Sequence, residues 1–176
     1  MERVLIIGCP GAGKTTLAMA LAEKTGLPLV HLDRLHWRDN WQQTPIEEFD
    51  ALLQAELEKP RWIIDGNFSR TMEMRLKYCD TVIYLNLPRR VCLWGALKRL
   101  VSNYGKSRPD MGGVCPEYLD KEKLKFFRSI WIFKKKSGQK IADCLSAAKH
   151  AKCIVLKSKR EVRRFLAEQT VGIVVP

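Results

Sequence analysis

Near the start of the chain, Gly8-Cys9-Pro10-Gly11-Ala12-Gly13-Lys14-Thr15 fits the pattern G-x-x-x-x-G-K-[ST]. The three glycines allow successive backbone N–H groups to turn toward one point, where they can surround phosphate oxygens. Lys14 adds a charge able to reach the β- and γ-phosphates, and the Thr15 hydroxyl is a hard oxygen suited to Mg²⁺. With Pro10, Ala12 and Thr16 completing the turn and the helix start, these residues predict a site for a nucleoside triphosphate, ATP with Mg²⁺. A chance glycine turn would lack a strand before it and a helix after it, so the flanking elements decide.

They are present. Arg3-Val4-Leu5-Ile6-Ile7 is a short, branched apolar run that reads as a buried parallel strand. After the loop, Leu17, Ala18 and Leu21 fall at helical spacing, and Gly26-Leu27-Pro28 ends the pattern. Further strands are expected at 29–32, 62–66, 81–87 and 153–156. Helices are expected at 45–57, from Pro88 to about 102, at 121–136, at 140–149 and at 160–169. Strands alternating with helices imply an α/β domain, a five-stranded parallel sheet with helices on both faces. Residues 103–120 are rich in Gly and Pro and show no sustained period, which predicts a long loop that could act as a short lid.

Three more groups could carry chemistry. Asp65 ends an apolar strand, where a carboxylate can share Mg²⁺ with Thr15; the plainer reading is a cap on the strand-end loop. Arg99 and Arg108 flank the long loop, and arginines delivered by a closing lid can neutralise charge as a phosphoryl group moves, so with Lys14 they are the catalytic candidates. Asp33, Arg34, His36 and Trp37 follow the second strand. Asp33 could bind or deprotonate a substrate hydroxyl and Trp37 could stack on a base, although His36 and Trp37 could equally pack the sheet edge. His31 reads as a core histidine.

The totals bound the alternatives. The 176 residues suit one domain, with 46% hydrophobic residues and a mean hydropathy of −0.20, ordinary for a globular chain. No apolar run approaches the ~20 residues that span a bilayer, and the chain enters the phosphate loop at once, so a cytoplasmic protein without membrane contact is expected. The six cysteines include no CxxC pair, and Cys9 reads as a small filler. Residues 1–88 hold 10 Lys and Arg against 12 Asp and Glu, whereas 89–176 hold 21 against 7, a net of +14. That surface could meet the phosphates of a nucleotide or a nucleic acid, or could be a solvated basic face. The apolar tail Val171-Gly172-Ile173-Val174-Val175-Pro176 could be a packed extension or a contact.

Residues 8–16, Asp65-Gly66-Asn67-Phe68-Ser69-Arg70-Thr71 and Val82-Ile83-Tyr84-Leu85-Asn86-Leu87-Pro88-Arg89 resemble the successive signatures of the adenylate kinase-related group. Leu87-Pro88-Arg89 through Cys92-Leu93-Trp94, Leu97-Lys98-Arg99, Arg108-Pro109-Asp110-Met111 and Trp131-Ile132-Phe133 resemble, more narrowly, the DNA topology modulation protein family. The resemblance runs over nearly the whole chain. It implies a three-layer P-loop NTPase fold of the nucleoside-monophosphate-kinase type. It also implies an acceptor site after the second strand and around Gly66 and Asn67, with Arg70, or Arg75 one helical turn further on, on an acceptor phosphate.

The expectation is a small kinase that passes the γ-phosphoryl group of Mg-ATP to a nucleotide or similar small acceptor. A monophosphate acceptor needs Arg70 or Arg75, whereas a sugar or hydroxy-acid acceptor leans on Asp33. The alternative is a nucleotide-dependent regulator that binds DNA through the basic second half.

Overall fold

The structure is a computed structural model, described over residues 1–169. The apolar tail singled out above lies outside the described residues.

The first apolar run forms β1 (Arg3–Gly8), and alternation along it divides the core. Val4 and Ile6 enter one side of the sheet, Leu5 and Ile7 the other, and all four are buried because helices cover both faces. β2 (Leu29–His31), β3 (Trp62–Asp65), β4 (Thr81–Leu85) and β5 (Lys152–Leu156) complete a fully parallel sheet in the order β2-β3-β1-β4-β5. The sheet and its two-sided cover agree with the sequence expectation.

On the Val4 side lie α1 (Lys14–Thr25), α5 (Arg89–Ser102) and α7 (Lys159–Glu168), through Leu17, Leu21, Cys92, Ala96 and Phe165. On the Leu5 side lie α3 (Ile46–Leu57) and α4 (Met72–Tyr78), through Phe49, Leu53, Leu57, Met72 and Leu76. Gly26 closes α1 in the left-handed region, at φ +68°, donating its N–H to the Ala22 carbonyl. At the head of α7, Ser158 and Glu161 form a reciprocal cap, the hydroxyl accepting from the Glu161 N–H and the carboxylate accepting from the Lys157 N–H.

Three local expectations need correction. The two helices expected at 121–136 and 140–149 are one, α6 (Lys121–Ala147), capped by Asp120, whose side chain accepts from the Lys123 N–H. Ser137-Gly138 does not interrupt it. A glycine costs a helix about 1 kcal/mol relative to alanine, too little to break a 27-residue helix that buries Ile130 against one core cluster and Ile141 against the other. A short helix, α2 (Leu32–His36), follows β2 at once, and α4 fills a stretch left unassigned. Both are under two turns or little more, too short for a period to show.

Asp80 ties the start of β4 to the start of β1. Its carboxylate accepts from the Glu2 and Arg3 N–H groups, each at 2.8 Å, and from the Thr81 hydroxyl at 2.6 Å. Partial burial alone would raise its pKa, but the Thr81 hydroxyl and the two backbone donors outweigh burial and hold the group below the usual carboxylate range. A depressed carboxyl stabilises the fold above its unfolded pKa, about 4, and loses that contribution as pH falls through the folded value. Asp80→Asn is therefore expected to lower stability at pH 7 by about 1 kcal/mol, with the gap closing in urea titrations run below about pH 4.

Candidate functional site

The carboxyl ends of the parallel strands converge on one cavity of about 670 Å³, within the range of small-ligand sites. Lys14, Thr15 and Pro10 line it from the phosphate loop, Asp65 to Phe68 from the end of β3, and His31, Asp33, Trp37 and Trp41 from the segment after β2. Arg99 from α5, Arg108, Asp110 and Glu117 from the long loop, and Lys123 and Phe126 from α6 close the other side. Central strand order puts the end of β1 beside that of β3, which is why Thr15 and Asp65, 50 residues apart, become neighbours.

The loop is held open by its own backbone. Gly8, Gly11 and Gly13 all have positive φ, as the sequence pattern requires. Gly11 also lies so close to α5 that a Cβ there would overlap the Cys92 carbonyl, and one on Gly95 would overlap the Gly11 carbonyl. A glycine inside α5 is thus explained by close approach of helix and loop. The Asn67 side-chain oxygen accepts from the Gly8 N–H at 3.1 Å, and Lys159 donates to the Ala12 carbonyl at 2.8 Å. Ala12 is buried, Cys9 packs in the core beneath, and the Thr16 side chain faces solvent on the first turn of α1.

Lys14 donates to the Gly8 carbonyl at 3.0 Å and to that of Cys9 at 3.4 Å. Burial lowers its pKa, while Asp65 and Asp33 pull it back up. Thr15 donates its hydroxyl to Asp65 at 2.8 Å, and Asp65, itself buried, has His31 Nδ1 at 3.3 Å on the same oxygen. A hydroxyl and a buried carboxylate side by side at the loop fit Mg²⁺, which takes one or two protein oxygens and completes its shell with water and phosphate.

The loop expected as a lid lies down on the segment after β2. Val114 and Asn40 pair through the Asn40 N–H, Val114 donates to the Asp39 carboxylate, Trp41 Nε1 donates to the Pro116 carbonyl, and the Cys115 thiol meets the Arg38 carbonyl. Beneath it, the Glu117 carboxylate, 1% exposed, faces three cations: Arg108 Nε at 3.1 Å, Lys123 Nζ at 3.3 Å and Arg99 Nε at 3.7 Å. Arg108 further meets Asp110 at 2.9 Å and Asp33 at 3.5 Å. Burial and the neighbouring Arg108 lower the pKa of Arg99, and Glu117 works against them. Glu117→Gln leaves three facing cations without their central countercharge, and thermal melts should show a loss of about 3 kcal/mol.

The structure brings Lys14, Thr15, Asp33, Trp37, Asp65, Gly66, Asn67, Arg99 and Arg108 to one cavity. It does not bring Arg34, Arg70 or Arg75. Arg34 is exposed, with its guanidinium on the Pro109 carbonyl. Arg70 is half exposed and bound through two hydrogen bonds, 2.8 and 2.6 Å, to Asp50 on α3. Arg75 is fully buried and donates to the carbonyls of Gly66, Asn67, Phe68 and Thr71. Burial pushes its pKa down to about 9, which still leaves it charged at neutral pH. It shapes the loop after β3 from behind. His36 packs edge-on against Trp37, Phe49 and Phe68, and burial lowers its pKa. Glu117, Asp110, Lys123 and Trp41 were not singled out from sequence. They lie in or beside a stretch without a period, so no spacing marks them.

Among the described residues, no helix is long and apolar enough to cross a membrane. Residues 4–64, which include the phosphate loop, match the model of the ATPase family associated with various cellular activities (AAA). A protein of Pyrococcus abyssi (strain GE5 / Orsay) named "Putative adenylate kinase" is 30% identical over 95 residues, half of each chain. The chain thus spans about half the length of the curated relative it matches. Among solved structures, shikimate kinase from Acinetobacter baumannii in complex with shikimate superposes with a TM-score of 0.60 at 15% identity, over 95% of this chain and 89% of that one. Shikimate kinase from Bacteroides thetaiotaomicron gives 0.53 at 18% identity, over 94% of both. The five-stranded parallel sheet, the phosphate loop and these likenesses together give the chain a P-loop NTPase fold of the kinase type.

Proposed function

We propose that the protein is a small phosphotransferase that binds ATP with Mg²⁺ and passes the γ-phosphoryl group to a small acceptor. One observation carries the reading: a phosphate loop, a Thr15–Asp65 oxygen pair and two arginines from the opposite wall, Arg99 and Arg108, line a single cavity. Backbone N–H groups of residues 11–16, with the positive end of α1 behind them, would bind the β- and γ-phosphates, and Lys14 would leave its carbonyl partners to join them. Thr15 and Asp65 would hold Mg²⁺, which would supply positive charge against the phosphate oxygens. Arg99 and Arg108 would face the equatorial oxygens of the moving phosphoryl group, where charge spreads in the transition state. The acceptor would sit between Asp33, Trp37 and the loop of Gly66 and Asn67.

Residues 103–120 would act as the lid of a single kinase domain. The resemblance to DNA topology modulation proteins names no reaction, and the alternative of a DNA regulator rests on the basic second half alone. The experiment is ADP release from Mg-ATP against a panel of nucleosides, nucleoside monophosphates, sugars and hydroxy acids. Stimulation by one class supports the proposal. ATP binding without stimulation by any acceptor, together with salt-steep duplex binding insensitive to ATP, would favour the regulator.

A further inference from the structure

Resting on the kinase reading, we infer that the acceptor is a hydroxyl compound that carries no phosphate of its own, and that Asp33 receives the hydroxyl proton. A monophosphate dianion needs an uncommitted cation at the acceptor end of the cavity. Arg75 is fully buried and spends its donors on four carbonyls, and Arg70 is turned outward onto Asp50. The cations that do line the cavity are Lys14, Arg99, Arg108 and Lys123. Lys14 belongs to the phosphate loop, and the other three surround Glu117, with Arg108 also paired to Asp110 and, at 3.5 Å, to Asp33.

The acceptor end itself is acidic and aromatic. Asp33 lines it together with the Trp37 and Phe68 rings, while Asp65 is engaged by the Thr15 hydroxyl. A second phosphate there would meet the Asp33 carboxylate at a cost that neutral hydroxyls avoid, because the cation beside it, Arg108, is already paired with Asp33, Asp110 and Glu117. A flat or apolar ring face suits the aromatic wall, and hydroxyls suit the carboxylates. The Asp33 side chain is 39% exposed, and its one ion-pair partner among the described residues is Arg108 at 3.5 Å, a long contact that leaves carboxylate lone pairs open to a substrate hydroxyl.

The step balances without a further reagent. The acceptor oxygen forms a bond to the γ-phosphorus as its proton passes to Asp33. The bond from that phosphorus to the β,γ-bridging oxygen breaks, and ADP leaves with the electron pair. Asp33 then returns the proton to solvent. The products are a phosphate monoester, ADP and one proton.

The test uses the full chain with Mg-ATP and matched acceptors: each nucleoside with its 5′-monophosphate, and each sugar or cyclitol with its phosphate. The expected result is a kcat/KM at least about tenfold higher for the phosphate-free member of the productive pair, with a monoester product in phosphorus NMR. Asp33→Asn should lower kcat by about 100-fold or more with the KM for ATP within about twofold, and Arg70→Ala should leave turnover unchanged. Preference for the monophosphate, a diphosphate product and a large loss in Arg70→Ala would overturn the inference while leaving the kinase reading intact. Wild-type kcat in Asp33→Asn would remove Asp33 from the reaction. Failure of every acceptor to stimulate ADP release would overturn both readings together.

Discussion

Replacing Lys14 with alanine should reduce acceptor-dependent turnover by about 10³-fold while the protein keeps its melting temperature without nucleotide. Among the described residues the side chain makes hydrogen bonds only to the Gly8 and Cys9 carbonyls, and its charge is disfavoured by burial, so the resting fold loses little when it goes. What goes is the one cation that the phosphate loop itself offers to the β- and γ-phosphates. The loss should fall mainly on kcat, because charge on the bridging and γ-oxygens grows as the bond to the leaving group breaks. Stopped assays of ADP release and thermal melts on the same preparation separate the two effects. Unchanged turnover in the variant would show that the reaction does not use this loop.

Arg75→Met should have the opposite signature, a large loss of stability with the nucleotide residues intact. The methionine fills the space of the stem but leaves the carbonyls of Gly66, Asn67 and Phe68, bonded at 2.7–2.9 Å in the native protein, without donors in a buried loop. Each bond to a charged donor is worth about 1.5–3 kcal/mol before the desolvation of the guanidinium is recovered, and a net loss of about 3 kcal/mol is expected. For a chain of this size that lowers the melting temperature by about 6–12 °C. Because Asn67 also holds Gly8, ATP binding should weaken in whatever fraction stays folded. A variant as stable as the wild type would contradict the role assigned to Arg75.

The phosphate loop and its flanking strand and helix were legible because every signal is local. Glycines mark positive φ, branched residues mark the strand, and the lysine and threonine stand at fixed offsets. The sheet was legible for a related reason, since each strand is an apolar run bounded by turn residues. Arg70 and Arg75 were not, because a sequence gives their spacing along the chain but not which way each side chain faces. Arg70 meets Asp50 from another helix, and Arg75 turns back under the loop it follows. Glu117 shows the same limit from the other side. Nothing in its neighbours distinguishes it from a surface glutamate until the loop folds onto α5 and α6 and sets it between Arg99, Arg108 and Lys123. The split predicted in α6 had a different cause: Ser137-Gly138 is a genuine weak point, and packing against both core clusters outweighs it.

The most direct measurement follows the γ-phosphoryl group itself. Wild-type protein and Lys14→Ala are incubated with γ-labelled ATP, Mg²⁺ and the acceptor panel, and the label is traced by chromatography. Label that moves onto one acceptor with the wild type, and stays on ATP with the variant, is the predicted result. Label that remains on ATP, or appears only as inorganic phosphate whatever acceptor is supplied, would contradict phosphoryl transfer to a small molecule as the function of this site.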